Sequence, residues 1–69
     1  MKYLVVIEKT PTNYSAYVPD LPGCVATGAT LDEAERNIHE AVEFHIDSLR
    51  EHAEPVPPPS TQPAFVEVA

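Results

Sequence analysis

One thiol, three imidazoles and eleven carboxylates are the groups in this 69-residue chain that could do chemistry. Cys24 is the only conceivable nucleophile. It would need a nearby base and a third group to orient that base. His39, His45 and His52 all fall in or at the end of one helical stretch, and no local signature ties any of them to Cys24. Cys24 opens a strand-like run, where a small apolar side chain packs well. It reads as a structural cysteine. Metal binding fares no better. A metal site wants ligand pairs at i,i+3 or i,i+4 plus acidic or sulfur partners, whereas His45 and His52, which share the helix's apolar stripe, stand seven apart. No metal and no other cofactor is expected.

The carboxylates do not converge either. Glu8 is the sole acid of the first strand-like segment, and most of the others decorate the helix. A Mg²⁺-dependent nuclease needs acids meeting from several elements. With eleven acids against four Lys and Arg and a net charge of −7, the chain repels phosphate. Direct nucleic-acid binding is not expected, and neither is catalysis. An acidic surface instead suits a basic protein partner.

The elements that carry these groups follow from local chemistry. "KYLVVIEK" (2–9) is a β-rich run, and Thr10 to Asn13 provide a turn before "YSAYV" (14–18). Pro22-Gly23 fits the centre of a type II turn, leading into "CVATGA" (24–29). Gly28 marks a bulge or a close backbone approach. "TLDE" (30–33) is a capping box, and the helix it opens should reach about His52 and stop before Pro55. Leu31, Ala34, Ile38, Ala41, Val42, His45 and Leu49 form its apolar stripe. "EPVPPPSTQP" (54–63) is a stiff polyproline linker, and "AFVEV" (64–68) is a last strand.

The expected fold is therefore α+β, a single β-β-β-α-β domain over 1–69. Its mixed four-stranded sheet carries one helix on one face. The last strand lies parallel to the first through a right-handed crossover. One helix leaves the other sheet face bare, so Leu4 and Val6 are expected to mediate self-association as a homodimer or homotetramer. A chain this short, with no disulfide possible, gains stability from association. On the helix, Phe44 projects from the acidic side among Glu40, Glu43, Asp47 and Glu51. These five are the candidate partner-binding residues, an aromatic anchor with an acidic rim. The N-terminal apolar run is too short for a signal peptide or a membrane span, so a cytoplasmic protein is expected.

Taken together, "YVPDLPGCVATGATLDEAERN", the helix through "EFHIDSLREH" and the "EPVPPPS" segment resemble the HicB-like antitoxin family. The resemblance implies a partial RNase H-like fold without nuclease activity. It also implies a partner, a small RNA-cleaving toxin of the HicA type, neutralised by covering the surface around its catalytic histidine. Many members carry a further ribbon-helix-helix or helix-turn-helix segment that binds operator DNA. Because this chain stops at Ala69 after the expected last strand, a short form without its own operator binding is expected. The competing reading is a solitary oligomeric domain that binds a small ligand or regulator between its subunits.

Overall fold

The computed structural model describes all 69 residues. Strand β1 (Val6–Lys9), β2 (Tyr14–Tyr17) and β3 (Val25–Gly28) form an antiparallel meander in that spatial order, and helix α1 spans Leu31–Glu51. The register places Val6 opposite Tyr17 and Ile7 opposite Ala16. It continues with Tyr17 opposite Val25 and Ala16 opposite Ala26.

Each connection is closed by its own side chains. Between β1 and β2, the Asn13 amide donates to Thr10 Oγ1 at 3.0 Å, and the Thr10 hydroxyl lies 2.7 Å from Asn13 Oδ1. This side-chain-to-backbone bonding is why Thr and Asn favour such turns. Between β2 and β3, the Cys24 amide donates to the Leu21 carbonyl at 3.0 Å around Pro22 and Gly23. Gly23 has φ +84°, the left-handed value that the third position of a type II turn demands. "DLPGC" is thus a turn that buries Leu21 and Cys24 beneath itself.

Thr30 has extended backbone and accepts the Glu33 amide at 3.1 Å, the forward half of the expected capping box. Gly28 is a point of close approach rather than a bulge. A Cβ there would fall on the Ala34 amide nitrogen and within 2.8 Å of the Ala34 Cα. The absence of a side chain lets α1 pack backbone to backbone against β3. At the far end, Ala53 takes the left-handed φ of +54°. The Ala53 amide donates to the Arg50 carbonyl and the Glu54 amide to the Leu49 carbonyl, a Schellman turn built without glycine.

The core is small: Ala16, Val18, Leu21, Cys24 and Ile38 are buried together, and Tyr3, Val5, Ile7, Val42 and Ile46 pack around them. Two details of the expected helix stripe change. Leu31 is exposed at the helix start, and Ile46 joins the core. Ile46 lies about 80° around the helix from Ile38, at the margin of the stripe.

The expected fourth strand is not in the sheet, so the four-stranded mixed arrangement gives way to three antiparallel strands. Residues 64–68 pair with nothing, and Phe65 is 96% and Val66 85% exposed. The reason lies in the segment before them. The Tyr3 hydroxyl donates to the Pro57 carbonyl, and Asp20 then holds Ser60 and Thr61. These two contacts carry the chain across the end of β1 toward the β2–β3 turn.

Candidate protein-binding surfaces

No group of three or more His, Cys, Asp or Glu side chains is placed to hold a metal ion. Cys24 is buried, and that burial pushes its thiol pKa up, away from the thiolate a nucleophile requires. No helix is long and apolar enough to cross a membrane. What the fold does present are three surfaces, each made by a different element.

The first is the solvent face of α1. Phe44 is 77% exposed there, although it is among the largest apolar side chains in the protein. Glu40, Asp47 and Glu51 are exposed at spacings of four, three and seven residues from it, which puts them beside it on the helix surface. Phe44 is also two turns beyond Asn37, whose side-chain amide donates to the Thr27 carbonyl of β3 at 2.8 Å. The aromatic ring therefore sits on the β3 flank of the helix. Glu43 meets His39 Nε2 at 2.7 Å and, like Asp47, reaches the β1 side of the helix, at the far margin of this acidic surface from Phe44.

The second surface is the outer face of the sheet. Val6, Tyr17 and Val25 lie directly across the strands from one another on the face away from α1. Leu4 and Val6 are half-buried, while Tyr17 and Val25 are exposed, the latter at 66%. Leu4 and Val6 were expected on this face. Tyr17 and Val25 extend it, and the alternation along "YSAY" and "VATG" is the signal that could have found them.

The third surface lies where α1 leaves β1 uncovered. The helix packs mainly on β3 and β2. Between it and β1 runs an open groove of about 720 Å³, lined by Tyr3, Val5 and Ile7 from the strand side and by Ile38, Val42 and Ile46 from the helix. Lys2, Glu35, Asp47 and Arg50 stand around it. Composition along α1 alone did not reveal this groove, because it depends on where the helix sits over the sheet.

One electrostatic site anchors the C-terminal segment. Asp20 accepts the Ser60 and Thr61 amides at 2.9 and 3.0 Å and their hydroxyls at 3.0 and 2.8 Å. The backbone donation from Thr61, followed by that from Ser60, lowers its pKa to about 2. Nothing in the local sequence around Asp20 signals this role, because its partners lie forty residues away.

Known proteins share both the sequence and this arrangement. Residues 3–67 match the model of the family described as HicB-like antitoxin of bacterial toxin-antitoxin system. A UPF0150 protein of Thermoplasma acidophilum is 47% identical over 58 residues, covering 83% of this chain and 84% of that protein. An uncharacterized 14.9 kDa protein of Haemophilus phage HP1 is 46% identical over 57 residues. The match covers 83% of this chain, which spans only 43% of the phage protein. Among solved structures, one of a HicA3 and HicB3 toxin-antitoxin complex superposes with a TM-score of 0.74 at 35% identity. It covers 86% of this chain and 70% of that one. The N-terminal domain of the Burkholderia pseudomallei antitoxin HicB gives 0.75 at 35% identity, over 88% and 73% of the two chains. The fold is thus shared with antitoxins of known structure, and the chain belongs to the HicB-like antitoxin family.

Proposed function

We propose that this chain is a protein-binding antitoxin module that neutralises a small, basic, RNA-cleaving toxin of the HicA type. It acts in the cytoplasm by covering the toxin's active-site surface, and no bond is made or broken. The observation that carries this reading is the solvent face of α1, where Phe44 stands exposed among Glu40, Asp47 and Glu51. An aromatic side chain that stays out of the core is an anchor for a partner's pocket, and the carboxylates around it match cationic groups on an RNA-binding protein. The superposition on an antitoxin from a HicA3–HicB3 complex supports the choice of partner class. Glu43, beside His39, borders the same acidic surface and belongs to its rim. The outer sheet face, with Leu4 and Val6 at its centre, serves contacts between copies of the chain.

The test is capture of a small basic protein encoded beside this one, with affinity measured for wild type and for Phe44→Ala. Truncating an anchor of this kind should weaken binding by about 30-fold or more. Charge reversal at Glu40 and Glu51 should slow association and flatten its salt dependence. Capture that is indifferent to all three substitutions would remove α1 from the interface, and no capture at all would remove the antitoxin reading.

A further inference from the structure

The groove beside β1 and the segment that could fill it are both present in this chain, but not in the same place. We infer that residues 64–68 form the fourth strand of a second copy of this protein, pairing with the free edge of β1 and burying their apolar side chains in the groove beside it.

The two sheet edges are not equivalent. On β3, α1 covers the strand closely at Gly28, and Asn37 reaches over to occupy the Thr27 carbonyl. On β1, nothing pairs with the outer edge, and the apolar floor of Tyr3, Val5 and Ile7 continues into open space under Val42 and Ile46. An uncovered strand edge beside an apolar groove is a template for one more strand. A strand fitted to it needs alternating apolar residues and no proline. Residues 64–68, Ala-Phe-Val-Glu-Val, meet that description. Ala64, Val66 and Val68 share one face, and Phe65 lies on the other. None of these side chains touches the core of its own chain, and Val68 is 88% exposed.

The occupant is a second copy because the anchors steer the segment away from its own groove. Pro57 is held by Tyr3, just before β1, and Ser60 and Thr61 are held by Asp20 in the β2–β3 connection, so the chain leads from the β1 side toward that connection and away from the free edge. Beyond Thr61 the remaining eight residues, when extended, reach about 26 Å. The molecule as a whole is elongated, 47 × 27 × 16 Å, with a radius of gyration of 13.5 Å against the roughly 11 Å of a compact domain of this length. Reciprocal exchange closes a two-fold dimer. Two such strands, each covering an edge and a groove, bury on the order of 1,200 Å², where stable interfaces begin. Val66 and Val68 fill the groove, while Phe65 extends the outer face beyond Leu4 and Val6.

This inference does not rest on the toxin reading: Phe44, the anchor of that reading, lies on the other flank of α1, and only Asp47 and Glu43 border both surfaces. The experiment is the mass of the purified chain in solution, together with a crosslink. Wild type should run as a dimer of the 7.6 kDa chain, and the double variant Phe65→Asp, Val66→Asp as a monomer with unchanged helix content. These side chains are exposed in the single chain, so the variant keeps its fold. In a Cys24→Ala background, chains bearing only Val66→Cys and chains bearing only Val5→Cys, mixed and then oxidised, should form a disulfide-linked heterodimer as the main product. A monomeric wild type overturns the inference. So does a tail variant that stays dimeric, including one that dissociates only when Leu4 and Val6 are replaced. A chain carrying both cysteines that closes only on itself would show that the strand folds back in cis. Capture of the basic protein by the monomeric tail variant leaves the antitoxin reading standing whichever way the exchange falls.

Discussion

The two flanks of α1 rest on the same sheet and differ in almost every other respect. On the β3 flank the helix backbone meets the strand directly at Gly28, Asn37 caps a strand carbonyl, and Phe44 crowns the surface. On the β1 flank the helix stands off, and the apolar side chains of Val5, Ile7, Val42 and Ile46 border open space. The difference shows how a sheet with one helix divides its labour. A single helix of about 10 Å diameter cannot cover three strands equally. Whichever strand it grips, the far one is left with an unfilled apolar margin.

Predictions follow the size of the effect on this asymmetry. Leu21, in the β2–β3 turn, is fully buried in the core beneath α1. Leu21→Ala should cost about 3 kcal/mol and, in so small a domain, leave a substantial unfolded fraction measurable by urea titration. Gly28→Val should prise α1 from β3 and cost about 2 kcal/mol, because the new Cβ meets backbone that cannot rotate away. Amide exchange should then quicken along β3 more than along β1. Asn37→Ala should cost about 1 kcal/mol and open the Thr27 carbonyl, making the β3 edge behave more like the β1 edge in exchange. Ala53→Gly should act in the other direction. It relieves an L-residue of a left-handed conformation and should raise stability by about 1 kcal/mol in thermal melts. The subtlest effect is that of pH on the C-terminal anchor. The folded pKa of Asp20, about 2, lies below its usual 3.8. Its stabilising contribution is thus present above pH 3.8 and is lost as the pH falls through about 2. NMR shifts of the Ser60 and Thr61 amides should follow that loss. If they stay fixed through this range, Asp20 is not what holds the segment.

The parts of the fold written in short stretches of sequence were the legible ones. Pro22-Gly23 and Thr30 with Glu33 each specify a turn or a cap within four residues; the turn forms as read, and of the capping box the Thr30 half forms. The exposed position of Phe44 followed from helix angle alone. The segment 64–68 had the composition of a strand, yet composition does not say which edge it pairs with. That depends on contacts such as Asp20 with Ser60, forty residues apart, whose partners carry no local signature. Ile46 was missed for a similar reason. It sits at the margin of the stripe, and only the tilt of the helix toward β3 decides whether that margin meets core or solvent. The left-handed Ala53 was also beyond reach, because a glycine is the usual sign of such a turn.

The buried cluster runs only from Ala16 to Ile38, and every strand and the helix are complete by Glu51. All of its side chains are therefore in place well before residues 64–68. During synthesis at about 5–20 residues per second, the meander and helix emerge before the Ala64–Val68 segment. Strand register is therefore settled before any edge-seeking segment exists to disturb it. Assembly becomes a late, concentration-dependent event between finished units, which separates the speed of folding from the level of expression.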